Sequence, residues 1–265
     1  MKKPDFLIIG VAKGGTSSLS SYLSQHPEIH IPPIESHFFD EKEEYEKGLE
    51  FYWSKYFQGW KGEKVIGEKR PGNLSFVWVA QRIKVFVPYA KLIAILRNPI
   101  ERAHSEWWMY VVKEQEKRSF EQALKEGSYL NAGHYAQDLN QYFQFFPREQ
   151  FKILFLEDLE RDPQEVTQEV WKFLGVSSDV RLRNTKPENM AVSPQNVWIV
   201  RLARKTGLVK ILPRKLKRWG ERFLAKPGDR PPIDSSVRKW LREYYYPHNR
   251  ELETIVHRDL SHWDI

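Results

Sequence analysis

The stretch that decides the fold is Phe6-Leu7-Ile8-Ile9-Gly10-Val11-Ala12-Lys13-Gly14-Gly15-Thr16-Ser17-Ser18. The run Phe6–Ile9 reads as a buried strand that Gly10 ends. Ser17 to Gln25 reads as a helix that His26-Pro27 stops. Strand, glycine loop and helix in that order make a phosphate cradle: loop N–H groups and the helix N-terminus supply partial positive charge. Glycines let the backbone come close to the anion. Read without a ligand, the same stretch is a glycine-rich turn with a hydroxyl cap.

The departure from the nucleoside-triphosphate P-loop is informative. That motif, G-x-x-x-x-G-K-[ST], places lysine after the second glycine and a hydroxyl on Mg²⁺. Here Gly10 and Gly15 have the right spacing, but Thr16 takes the lysine position and Lys13 sits inside the loop. No strand ends in the aspartate that helps hold Mg²⁺; the run Lys91–Leu96 ends in Arg97. A metal-dependent P-loop kinase of a small molecule is the weaker reading, and a loop lysine can neutralise a leaving phosphate without metal.

Working outward, Val65–Lys69, Lys91–Leu96 and Phe151–Leu156 read as strands. Pro99 suits the first turn of a helix reaching about Val112, and Pro163–Leu174 reads as a helix closed by Gly175. Ser236–Tyr246 and Asn249–His257 read as two further helices. Apolar strands separated by helices predict an α/β fold, a P-loop-like three-layer arrangement with a central parallel sheet flanked by helices. The expected organisation is a single domain over 1–265, with a basic lid or acceptor-binding insertion around 177–232.

Composition narrows the chemistry. The chain has 265 residues, 42 Lys+Arg against 35 Asp+Glu, a net charge of +7 and no Cys. Zero Cys excludes disulfides, Cys-ligated zinc, iron–sulfur clusters and thiol catalysis, and fits a reducing compartment. No run approaches roughly 18 uninterrupted apolar residues, so a soluble protein without a classical export signal is expected. The basic excess raises nucleic acid, an anionic membrane surface or an anionic small ligand as partners. It is local: positions 201–242 hold 14 Lys/Arg and three Asp/Glu. A solvated face or an electrostatic guide for an anionic substrate both fit that stretch. A non-enzymatic nucleic-acid or membrane-surface module would need a recognition motif, and no such signature stands out.

A second constellation is Arg97-Asn98-Pro99-Ile100-Glu101-Arg102-Ala103-His104-Ser105. Arg97 ends a strand, where ligands bind in open α/β sheets, and its planar fork suits phosphate oxygens; Ser105 would add a hydroxyl. Two helical turns separate them, so a bent connection is expected if both reach one phosphate. The plain alternative is an arginine capping its own sheet and a serine on a solvated helix face.

Together these motifs resemble the sulfotransferases that use 3′-phosphoadenosine 5′-phosphosulfate (PAPS), in particular the heparan sulfate N- and 3-O-sulfotransferase domain and its bacterial relatives. The likeness runs through P-D-F-L-I-I-G-V-A-K-G-G-T-S-S and L-R-N-P-I-E-R-A-H-S, with E-S-H-F-F at Glu35–Phe39 and G-E-K-R-P at Gly67–Pro71 between them. F-F-P-R-E-Q-F-K-I-L-F-L-E-D-L and a late Y-Y-Y-P-H-N-R-E-L continue it. The resemblance implies PAPS as sulfuryl donor, no metal, and a glycan or small-molecule acceptor, with no nucleic acid. Lys13, Gly14, Gly15, Thr16, Ser17 and Ser18 would take the 5′-phosphosulfate end, and Arg97 and Ser105 the 3′-phosphate. Glu35 matches the family's general base, His37 a nearby active-site histidine, and Lys69 the lysine of the second strand motif. Outside the motif Glu35 is a solvated loop acid, His37 a packed histidine orienting it, and Lys69 a strand-end surface charge. Lys226 and Arg230 stand where the family has a lysine–glycine–arginine element, with altered spacing. The missing cysteines point to a cytoplasmic relative of a family whose Golgi members carry a disulfide.

Overall fold

The computed structural model describes residues 2–125, 127–187, 192–194, 225–227 and 230–265. Five strands form one sheet: β1 (Phe6–Gly10), β2 (Ile29–His30), β3 (Val65–Lys69), β4 (Lys91–Leu96) and β5 (Phe151–Phe155), in the order β2-β3-β1-β4-β5. Every pairing is parallel. All five residues of β1 and the last five of β4 are buried, as expected of strands covered on both faces.

Strand alternation divides the core into two layers. Leu7, Ile9, Ile66, Leu92, Ala94 and Leu96 face one way. They meet α3 (Gly48–Tyr56), α4 (Val77–Phe86), α8 (Tyr135–Phe143) and the end of α11 (Ser235–Val256). Phe6, Ile8, Val65, Ile93, Ile95 and Leu154 face the other way, onto α1 (Thr16–Leu23) and α10 (Pro163–Leu174). A third apolar cluster joins α5 (Pro99–Val112), α6 (Phe120–Leu124) and α7 (Ser128–Asn131) to the start of α11. The three-layer arrangement expected from the sequence is the one observed. The remaining helices, α2 (Lys42–Tyr45) and α9 (Leu156–Arg161), are short.

One expectation is corrected. The two late helices are a single 22-residue helix that runs through Pro247. Proline removes a backbone donor and ordinarily breaks a helix. Here Leu241, Tyr245, Asn249, Leu252 and Ile255 lie buried along one stripe, so packing on both sides of Pro247 holds the two halves in line. The aromatic run from Phe51 to Trp60 is core, with Tyr52, Tyr56 and Phe57 buried.

Strands β6 (Val192–Pro194) and β7 (Ala225–Pro227) form a separate antiparallel pair. Most of the expected lid, and most of the basic 201–242 stretch, lies outside the described residues. No described helix is long and apolar enough to cross a membrane.

Candidate active site

The glycine loop leaves β1 at the C-terminal edge of the sheet and docks on β4. The Val11 N–H donates to the Ile95 carbonyl at 3.1 Å, and the Gly14 N–H turns back to the Val11 carbonyl at 3.0 Å. The space is tight. A side chain on Gly14 would place its Cβ 2.4 Å from the Ile95 carbonyl oxygen. Gly15, the N-cap of α1, has φ +98°, a left-handed conformation that side chains resist. Lys13 adopts the left-handed region at φ 67°, which a non-glycine residue holds only when its surroundings enforce it. Thr16 and Ser18 are buried in the first turn of α1, whose leading N–H groups have no partner within the helix.

Arg97 supplies part of that enforcement. Its Nη1 donates to the Lys13 carbonyl at 3.2 Å, and its own carbonyl accepts from the Tyr135 hydroxyl at 2.8 Å. Cations crowd this side of the loop. Burial, and then Arg97, lowers the Lys13 ammonium below the usual lysine range, with Lys113 and Arg230 adding to the fall. Burial, and then Arg230, lowers Arg97 as well. Arg230 is tied in place by Glu101, whose carboxylate accepts from Arg230 and from Arg238, both at 2.8 Å. The loop therefore presents packed positive charge, and a bound anion would relieve it.

A second group of charges lies on the β3 side. Lys69, at the strand end, donates to Ser17 Oγ at 3.1 Å and pairs with Glu35 at 3.3 Å. Arg70 pairs with Glu35 at 3.4 Å and with Asp40 at 2.5 Å. His37 pairs with Asp40 at 3.4 Å rather than with Glu35. Lys69 thus spans the gap between the glycine loop and Glu35, and Glu35 keeps a side chain 39% exposed toward solvent.

Lys13, Gly14, Gly15, Thr16, Ser17, Arg97 and Arg230 therefore gather around the loop, and Glu35, Lys69 and His37 on its β3 flank. Ser105 is buried in the second turn of an unbroken α5, and among the described residues no hydrogen bond joins it to Arg97. Lys226 is described only as backbone of β7, paired with Ser193; Gly228 and Asp229 lie outside the described residues. Asp40, Arg70, Glu101 and Tyr56 were not legible as site residues: each acts through a partner remote in sequence. One signal was available. Alternation in Val65–Lys69 turns Glu68 inward with Ile66, and Glu68 is fully buried. His37, Asp40 and Glu41 bring metal-ligand atoms within 4.8 Å of one another, but Asp40 is already committed to Arg70 and Glu41 is exposed.

Comparison with known proteins agrees with this geometry. The sulfotransferase domain family matches residues 3–196. The human heparan sulfate glucosamine 3-O-sulfotransferase 6 is 29% identical over 97% of this chain and 73% of its own length. The mouse bifunctional heparan sulfate N-deacetylase/N-sulfotransferase 4 is also 29% identical, over 96% of this chain but only 30% of its own length. The crystal structure of a sulfotransferase from Alicyclobacillus acidocaldarius superposes with a TM-score of 0.76 at 29% identity, covering 100% of both chains. A mouse sulfotransferase solved with 3′-phosphoadenosine 5′-phosphate (PAP) shares the fold at a TM-score of 0.52 and 15% identity, over 94% of this chain and 86% of its own. The kinase and the non-enzymatic basic module, both open from the residues alone, give way to this assignment. A glycine loop with its lysine displaced into the loop, an arginine at the end of β4 and a family match across most of the chain lead to one conclusion: the protein belongs to the sulfotransferase family and is a sulfotransferase enzyme.

Proposed function

We propose that this enzyme moves a sulfuryl group from PAPS to a hydroxyl, or an amine, on a carbohydrate or other small metabolite, with Glu35 as general base. The observation that carries the reading is the Ser17–Lys69–Glu35 chain, at 3.1 and 3.3 Å, which joins the anion-binding loop to a half-exposed carboxylate through one lysine. PAPS, when bound, supplies the activated sulfuryl group. The residues fit it: a cradle that a Cβ on Gly14 would fill, helix N–H groups, and crowded cations at Lys13 and Arg97.

In this scheme the loop amides and Lys13 hold the 5′-phosphosulfate end and stabilise negative charge on the departing phosphate. Arg97 holds the 3′-phosphate, with Ser105 lining the same side and Arg230, with Lys226, closing over it. Gly14, Gly15, Thr16, Ser17 and Ser18 shape the cradle. Glu35 accepts the acceptor's proton, and Lys69 and Arg70 fix its carboxylate in place. His37 steadies Asp40, which anchors Arg70. No metal enters this scheme. Residues 177–232 are read as the lid, and the Cys-free sequence supports a cytoplasmic, bacterial-type enzyme. The names of the relatives support a heparan-like glycan among the acceptors to try first.

Calorimetry with PAP tests the donor site: micromolar binding that Arg97→Ala weakens by tenfold or more is expected, and no binding by the wild type would refute the reading. Labelled PAPS with a panel of glycans and small hydroxyl and amine acceptors then tests transfer. Glu35→Gln should lower kcat by about 10²–10⁴ while PAP affinity holds; full turnover by that variant would remove Glu35 from the base role.

A further inference from the structure

Glu68 is the next-to-last residue of β3, immediately before Lys69, and it is 0% exposed. Alternation points it away from Lys69, into the layer that holds Ile66 and Tyr52. The Tyr52 hydroxyl donates to its Oε2 at 2.5 Å, while Oε1 makes no hydrogen bond of ordinary geometry among the described residues. A buried acid left half-satisfied is costly as an anion and so favours its neutral form. Burial raises the Glu68 carboxyl to about 7, the Ser36 and Tyr52 hydroxyls hold it down, and the Asp40 charge adds to the rise.

This carboxyl lies beneath the segment that carries Glu35. The Ser36 N–H donates to the Lys69 carbonyl at 3.3 Å, which seats the segment on the end of β3. The Phe38 N–H donates to Ser36 Oγ at 3.4 Å, and the Phe38 ring packs on Tyr52 with centroids 4.3 Å apart. The Tyr56 hydroxyl accepts from the His37 N–H at 3.0 Å and donates to Glu44 at 2.6 Å. Two tyrosines of α3 thus brace one short segment, and Tyr52 does so through Glu68.

We propose that Glu68 is a positioning residue: neutral, it forms with Tyr52 the floor on which Ser36 sets Glu35 against Lys69 and Arg70, and ionised, it disturbs that arrangement. The groups around it fix the sign. Tyr52 faces it from α3, and Ser36 and Asp40 from the loop; Lys69 turns to the opposite face, and β1 offers Leu7 in register. Asp40 is held by Arg70 at 2.5 Å and His37 at 3.4 Å. A second anion behind Asp40 repels it and competes for Arg70, the cation that Glu35 also uses. Positioning is therefore best below the Glu68 titration and fails above it. The role rests on the reading of Glu35 as the base; the structural coupling does not.

The test uses the full-length protein and Glu68→Gln, a neutral copy of the protonated acid. In the wild type, one glutamate side-chain carboxyl ¹³C resonance should titrate near 7, apart from the aspartate signal of Asp138. Amide exchange at residues 35–40, corrected for its intrinsic pH dependence, should speed up about tenfold between pH 6.5 and 8.5. In Glu68→Gln the resonance should vanish and the protection should stay level. Tyr52→Phe removes a donor that favours the anion, so both transitions should move to higher pH; this variant decides the matter if Glu68→Gln does not fold. PAPS consumption should fall through the same transition in the wild type and lose that limb in Glu68→Gln. Protection of residues 35–40 that is independent of pH, or that changes identically in Glu68→Gln, overturns the proposal. PAP affinity is measured on the same samples: absent PAP binding refutes the donor-site reading, while the exchange data still decide the role of Glu68.

Discussion

Gly14 and Gly72 illustrate how unequal two glycines can be. A Cβ on Gly14 meets the Ile95 carbonyl at 2.4 Å and Val11 Cγ2 at 2.7 Å, whereas one on Gly72 meets nothing within 4 Å. The Ile95 carbonyl belongs to the sheet and cannot swing aside, so Gly14→Ala must push the loop off β4. We expect it to cost about 2–4 kcal/mol of stability, a range in which strain and overpacking fall, and to weaken PAP binding by at least tenfold. Gly72→Ala should stay within about 0.5 kcal/mol of the wild type. Urea unfolding and calorimetry on the pair check this; an equal effect from both would mean that the tight cradle is not what makes Gly14 necessary. At this scale local motifs are what single out residues in the sequence. Lys13, Glu35, Lys69 and Arg97 all stand in motifs, and all lie around the loop. Asp40, Arg70 and Tyr56 stayed hidden because their importance comes from partners 3 to 30 residues away.

Among the elements, α5 and α11 show where pattern reading holds and where packing overrides it. Asn98 caps α5 by accepting from the Ile100 N–H at 3.0 Å, and its Nδ2 donates to the Trp263 carbonyl at 3.0 Å. Pro99 occupies the first turn, and it marked this helix start in the sequence. Asn98→Ala removes the cap and the tie to the C-terminal segment together, and should destabilise by about 1–2 kcal/mol in urea unfolding. Pro247 misled the same method, because its cost is local while the stripe from Leu241 to Ile255 is collective. Pro247 is exposed, and alanine there restores a backbone donor. Pro247→Ala should therefore stabilise the protein by about 1–3 kcal/mol, a few degrees in Tm; a lower Tm would show that the helix needs its proline for packing. The strand β2 and the short helices α2 and α7, with two and four residues each, carry too little periodicity to be read from sequence.

For the whole molecule, burial moves three groups far enough to shape the pH dependence of stability between about pH 4 and 7. Burial raises both Glu68 and Asp138 to about 7, and burial followed by the Arg230 charge lowers His104 to about 4. Each acid keeps its proton in the folded chain and loses it near 4 in the unfolded one. Between about pH 4.5 and 7 the folded state therefore binds more protons, and stability falls as pH rises. His104 works the other way: the unfolded chain protonates near 6.5 and the folded one resists until about 4, so its contribution rises with pH over that interval. Each group changes the slope by at most about 1.4 kcal/mol per pH unit. Burial lowers His134 as well, and Glu101 and Asp158 are held low by arginine partners, so these groups too add stability as pH rises toward 6.5. The two acids stand unopposed from about pH 6.5 to 7, where stability should decline. Asp138 is the simplest to isolate, since its side chain on α8 accepts one hydrogen bond, from Ser75 Oγ at 3.2 Å. Asp138→Asn keeps an oxygen to accept from Ser75 and removes the charge. It should stabilise by about 1–2 kcal/mol at pH 5 and by more at pH 8, with the curve of unfolding free energy against pH flattened between. A wild-type curve that climbs from pH 6.5 to 7 would show that these carboxyls are ionised in the folded protein, and would remove the physical basis for treating the core beneath the segment that carries Glu35 as neutral.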